Sequence, residues 1–75
     1  MYKEREVNVL NNRIEELRKE RGMTQEELGT KLGVSRQTII SLERGKYNPS
    51  ILLAHSIARE FDLSIEDVFL FEEEM

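Results

Sequence analysis

Residues 25–44 read QEELGTKLGVSRQTIISLER, and this stretch decides the fold. Its apolar positions are Leu28, Leu32, Val34, Ile39 and Leu42. Leu28 and Leu32 lie four apart and share one face of a helix; Ile39 and Leu42 lie three apart and share a face of the next. Gly33 supplies the left-handed residue that stops the first helix, and Val34 directly after it packs back on the turn. Gly29 sits inside that helix, where it costs about 1 kcal/mol relative to alanine. A close approach of the second helix across the first accounts for it, since only a small residue leaves room there.

With Ile39 and Leu42 turned inward, Arg36, Gln37, Ile40, Ser41 and Arg44 fall on the outer surface of the second helix. Such residues suit the edges of base pairs. Arginine pairs bidentately with guanine O6 and N7, and glutamine with adenine N6 and N7, at about 1–3 kcal/mol of discrimination each. Ile40, apolar and outward, fits a thymine methyl better than it fits water. The loop Gly45–Pro49 follows a glycine cap and carries one net positive charge. Arg44, Lys46 and Asn48 are placed there to clamp a sugar-phosphate backbone, while Tyr47 serves equally as cover for the core.

Outward from this pair, the caps predict the remaining helices. Asn12 caps a helix over Arg13–Arg21, with Glu15 completing a capping-box-like pair, Ile14 and Leu17 inward, and Gly22 ending it. Thr24, Glu27 and the staple of Met23 on Leu28 start the helix that contains Gly29. Its N-terminal amides, with Thr24 and Gln25, are placed to abut a phosphate. Ser35 caps the helix of Arg36–Arg44. Ser50 caps a fourth helix from Ile51, with a stripe of Ile51, Ala54, Ala58 and Phe61, Leu53 and Ile57 beside it, and Leu52 off it. That helix stops near Asp62, a tolerable left-handed residue. Ser64 caps a short fifth helix ending near Phe69.

The apolar cluster Ile65, Val68, Phe69, Leu70 and Phe71 exceeds what so small a domain is expected to bury on itself, so it is read as a dimer interface, with closure of the bottom of the monomer core as the alternative. Residues 1–11 read as an extension, either a frayed end or an edge strand in which Val7 and Val9 alternate with polar neighbours. That strand would pair with the DVFLF segment or with a second subunit. Residues 72–75 are an acidic tail.

Composition narrows the function classes. Seventy-five residues allow one domain, here residues 12–71. Without cysteine there is no disulfide, thiolate metal site or redox chemistry. No apolar run approaches the ~18 residues of a membrane span, and no signal peptide is visible, so a cytoplasmic location is expected. His55, the one histidine, has no second ligand and reads as packing or surface. No nucleophile–base pair or metal cluster is legible, so neither an enzyme nor a cofactor is expected. The net charge of −4 hides an asymmetry. Seven of the fifteen acids lie in residues 60–75, which hold no Lys or Arg. The other eight are outnumbered by all eleven basic residues, a formal +3 over residues 1–59. A local basic face matters more to a polyanion than the overall balance.

The segments RKERGMTQEELGTKLGVSRQTIISLERGKYNPS and SIEDVF resemble the Cro/CI-type (Xre) family of phage-repressor-like helix-turn-helix regulators, with the helix-turn-helix at residues 24–44. The resemblance runs from Asn12 to Phe69. It implies an all-α, compact five-helix lambda-repressor-like domain that binds double-stranded DNA through its third helix, usually as a twofold homodimer on an inverted repeat. By position, Arg36, Gln37 and Ser41 match base-contacting residues, with Ile40 beside them. Gln25, Arg44, Lys46 and Asn48 match phosphate contacts, a set that Thr24 and Thr38 extend. Arg18 and Glu43 fall where relatives make an ion pair. Two positions depart from the pattern: Gly29 stands for a commoner alanine, and His55 for a larger apolar residue. A regulatory protein partner, or an antitoxin-like interaction module that binds DNA only secondarily, is the competing expectation.

Overall fold

Each helix begins where the sequence offers its free amides an acceptor. The computed structural model describes residues 11–70, which form α1 (Ile14–Glu20), α2 (Gln25–Leu32), α3 (Arg36–Glu43), α4 (Ile51–Glu60) and α5 (Ile65–Val68). Thr24 Oγ1 accepts from the Glu27 amide at 3.0 Å, and the Glu27 carboxylate accepts from the Thr24 amide at 2.9 Å, a closed capping box. Ser35, Ser50 and Ser64 accept from the amides of Thr38, Leu53 and Asp67 in the same way. Each such cap stabilises its helix by about 1 kcal/mol. Four helices end on a left-handed residue, at Gly22, Gly33, Gly45 and Asp62. At α2 the Val34 amide reaches back to the Gly29 carbonyl at 2.9 Å and the Gly33 amide to Thr30 at 3.3 Å. These two bonds close the helix and set the direction of the turn.

The start of α1 differs from expectation. The helix starts one residue late, at Ile14, so that Arg13 is its N-cap and makes no side-chain cap bond; Asn12 Oδ1 accepts from Ile14 N at 3.0 Å, and Glu15 pairs with Lys19 at 2.9 Å. The Asn12 amide nitrogen meanwhile donates to the Leu42 carbonyl at 2.8 Å, tying the beginning of α1 to the end of α3.

The core is one cluster to which every helix contributes. Ile14, Leu28, Ile39, Leu42, Ile57, Val68 and Phe69 are its largest fully buried side chains, and Leu17, Ala54, Ala58 and Phe61 complete it. The two ends of the described chain meet against it. Asn12 and Phe69 form an isolated antiparallel bridge, flanked by Arg13 N to Val68 O and Leu70 N to Asn11 O, both 2.8 Å. The expected strand at Val7 and Val9, Phe71 and the acidic tail lie outside the described residues.

Three expectations are corrected. Val68 and Phe69 are 0 % and 1 % exposed, so they cannot serve a dimer interface. The bridge draws residue 69 under α1, and both side chains close the protomer core. Ile65 is half-buried against that core, and of the expected interface residues that are described only Leu70 stands exposed. Ile51 lies on the apolar stripe of α4 yet is 77 % exposed, because the first turn of α4 stands beyond the core. Gly29 is crowded by the turn rather than by the following helix: a Cβ there would lie 2.8 Å from the Val34 carbonyl oxygen.

Replacing Phe69 with alanine should lower unfolding stability by about 3–5 kcal/mol in urea titration, a loss that a surface role would not produce. At position 29, alanine gains about 1 kcal/mol of helix propensity against the shift it forces on Val34. Because the atom met is backbone, Gly29→Ala should melt below the wild type despite the gain in propensity, and Gly29→Leu further below it.

Candidate nucleic-acid interface

The Val34 and Ser35 backbone crosses close over Gly29, which places α3 against α2. Ile39 and Leu42, 0 % and 1 % exposed, hold it there from the inner side. One polar contact then fixes its rotation. Arg18 Nε donates to Glu43 Oε2 at 2.6 Å, and Nη2 donates to Oε1 at 3.2 Å, a bidentate pair whose side chains are 9 % and 5 % exposed. The remaining Arg18 nitrogen, Nη1, donates to the Met23 carbonyl at 2.9 Å. Gln25 Nε2 adds a third bond to the carboxylate, at 3.0 Å from Oε1. The hydrogen bonds to Glu43 raise the affinity of Arg18 for its proton, so the guanidinium stays charged. Among the described residues no buried polar side-chain atom lacks a partner.

The opposite side of α3 is open. Arg36, Gln37, Arg44, Lys46 and Asn48 are exposed, and Thr38, Ile40 and Ser41 are partly so. Arg36, Arg44 and Lys46 make no ion pair with any described residue, whereas Arg13, Arg18, Lys19 and Lys31 each have a carboxylate partner. A cleft of about 360 Å³ is lined by Glu15, Gln25, Arg36, Ile40, Glu43 and Arg44. The structure thus brings Arg36, Ile40 and Arg44 together at one cleft, and helical spacing puts Gln37 and Ser41 on the adjoining strip of α3.

Two expected backbone-contact residues have other engagements. Gln25 does not simply reach outward, since its amide is held by Glu43. The Thr38 hydroxyl lies 3.0 Å from that of Ser35, inside the cap of α3. The sequence also gave no sign of a second place for Glu15, read there only as a capping partner of Asn12. It lines the cleft beside Arg36, and its pairing with Lys19 holds its carboxyl below the ordinary range. Helical spacing says that Glu15 faces away from Ile14 and Leu17, but not which neighbour it looks across to. Among the described residues no group of three His, Cys, Asp or Glu side chains could hold a metal ion, and no helix is long and apolar enough to cross a membrane.

Comparison with known proteins agrees with this geometry. A family profile described as Helix-turn-helix matches residues 14–68. An uncharacterized HTH-type transcriptional regulator of Archaeoglobus fulgidus is 57 % identical over 65 residues, covering 87 % of this chain and 93 % of the relative. Two solved structures superpose closely. The restriction-modification controller protein C.AhdI of Aeromonas hydrophila does so with a TM-score of 0.65 at 31 % identity, over 73 % of this chain and 80 % of that one. SinR, a master regulator for biofilm formation solved in complex with DNA, gives 0.64 at 36 % identity, over 72 % and 87 %.

The burial of the Arg18–Glu43 pair sets the size of its mutational effect. Removing one partner leaves an uncompensated buried charge and should cost about 3–5 kcal/mol, rather than the 0–1 kcal/mol of an exposed pair. Arg18→Met and Glu43→Gln are each expected to lower the melting temperature sharply. The double variant Arg18→Met/Glu43→Leu should recover most of the loss. Unchanged melting of both single variants would mean that the pair is solvated.

Proposed function

The chain belongs to the helix-turn-helix family of Cro/CI (Xre) type, with its lambda-repressor-like five-helix fold, and on that premise we propose that it regulates transcription by reading a specific duplex sequence through α3. The observation that carries this reading is the pairing of charges. Among the described residues Arg13, Arg18, Lys19 and Lys31 are tied to carboxylates and Arg21 to a carbonyl and a ring, while Arg36, Arg44 and Lys46, with Arg59 on α4, form no ion pair. Three of these four belong to α3 and the loop after it, a grouping of positive charge in a chain of net charge −4 that suits an anionic partner.

In this reading α3 enters the major groove. Arg36 and Gln37 address base edges, helped by Ser41 and by Ile40 against a thymine methyl. Arg44, Lys46 and Asn48 hold the backbone beyond the end of the helix, and Thr24, Gln25 and Thr38 hold it at the starts of α2 and α3. Gln25 has a second proton on the nitrogen that bonds Glu43, so one amide can join the phosphate contact to the buried pair. Glu15, at the edge of the same cleft, repels a phosphate that approaches out of register. The protein acts as a cytoplasmic homodimer on an inverted repeat, with its two α3 helices about one turn of DNA apart, ~34 Å. It is not an enzyme and needs no cofactor. A regulatory protein partner would act through dimer assembly or promoter occupancy.

Selection of bound duplexes from a random pool tests the reading, with a symmetric sequence expected. Affinity should fall steeply as salt rises, because phosphate contacts release counterions. Arg36→Ala and Gln37→Ala should each cost about 1–3 kcal/mol on the selected site and relax one base position. Lys46→Ala should weaken binding to all sequences alike and reduce the salt slope by about one. Equal affinity for random duplex, or binding indifferent to salt, would overturn the proposal.

A further inference from the structure

Glu15 lies in the first turn of α1, where local spacing gives it a bland role: an acid at a helix start, paired at 2.9 Å with Lys19 one turn on. The fold gives it another neighbour. Glu15 lines the cleft of Gln25, Arg36 and Arg44, and with Arg36 it also lines a second cleft, of about 520 Å³, that takes in Lys19 and the turn at Gly22. Two further carboxylates border these clefts. Glu43 is buried and already accepts three hydrogen bonds, from Arg18 and Gln25, and Glu26 borders the second cleft alone. Glu15 is thus the exposed carboxylate common to both. The hydrogen bond from Lys19 holds its carboxyl below the ordinary range, so it is charged at neutral pH. Arg36 forms no ion pair with any described residue. An exposed guanidinium without a partner, beside the Gln25 amide, is a ready anchor for a phosphate.

We propose that Glu15 is a specificity-determining residue: its negative charge beside Arg36 keeps that guanidinium from settling on the DNA backbone and leaves it for a base edge. A phosphate bonded to Arg36 would bring its full charge into a site that already holds a carboxylate, and like charges repel. Guanine O6 and N7 are neutral acceptors, so an arginine on a base edge meets far less of that repulsion. Binding without sequence preference is made of phosphate contacts. The penalty therefore falls mainly on wrong duplexes, and the ratio of affinities between the right site and the wrong ones grows. Lys19 does not line the cleft of Arg36 and Arg44, so the carboxylate borders that cleft without its counter-ion. This inference rests on the reading of Arg36 as a base contact, and it supplies what keeps Arg36 from becoming a backbone contact instead.

Fluorescence anisotropy with the full chain tests it, on the duplex selected from the random pool and on a scrambled duplex of equal length, at ~0.1 M salt. Glu15→Gln should tighten binding to the scrambled duplex about fivefold and to the selected one about twofold at most, so that the ratio falls. Glu20→Gln is the control. It removes the same charge from α1 at a side chain that lines neither cleft, and it should leave the ratio at its wild-type value. In an Arg36→Ala background, Glu15→Gln should no longer move the ratio. Thermal melting near that of the wild type separates a change in binding from a loss of folding. An unchanged ratio in Glu15→Gln, an equal fall in Glu20→Gln, or an effect that persists without Arg36 would each overturn the proposal. The two readings fail differently. A wild type that prefers no duplex removes the proposed function and this inference together, whereas a preference that Glu15→Gln leaves intact removes this inference alone.

Discussion

Arg18 grips both carboxylate oxygens of Glu43 from α1, and Gln25 adds a bond from the first turn of α2. One carboxylate near the end of α3 therefore gathers three helices. α2 and α3 have eight residues each, too short to be stable alone in water, so their mutual placement must come from tertiary contacts. The apolar contacts of Ile39 and Leu42 set how deep α3 sits, but hydrophobic burial has no preferred direction. A bidentate guanidinium–carboxylate pair does have one, because its planar fork matches the carboxylate in a single orientation. With Arg18 also held by the Met23 carbonyl, the rotation of α3 about its own axis is fixed, and with it the side chains that face outward.

The electrostatics of the surface follow from the same economy of partners. Several cations away from α3 are tied down: Lys19 to Glu15, Lys31 to Glu60, Arg13 to Glu16, Arg18 to Glu43. Arg21 lies over the Phe61 ring at 5.4 Å and donates to the Glu60 carbonyl, closing the end of α4. Net charge is blind to this distinction. Among the described residues Arg36, Arg44 and Lys46 have no carboxylate partner although the chain's net charge is −4.

The apolar residues outside the central helix pair show where pattern alone misleads. Val68, Phe69 and Leu70 form one run, yet the first two close the core and the third faces water. What separates them is the bridge between Asn12 and Phe69, a contact across nearly the whole chain. Ile51 shares the stripe of Ala54, Ala58 and Phe61 but stays exposed, since a stripe states which residues share a face and not how far the opposing surface extends. Gly29 was legible as a tight spot, but its neighbour was not. The carbonyl of Val34 reaches it because the turn doubles back over α2.

What the sequence alone determined is whatever depends on near neighbours. Caps at Thr24, Ser35, Ser50 and Ser64, left-handed stops at Gly22, Gly33, Gly45 and Asp62, and the three- and four-residue spacing of apolar side chains act within one turn or two. They place five helices in the right order. The tertiary structure decided what depends on distant residues: that Gln25 leans on Glu43, that Glu15 borders the cleft of Arg36, that Phe69 is core and Ile51 is surface. Each of these joins positions far apart in the chain or lies at the end of a helix, where burial is set by what packs opposite and no local spacing can report it.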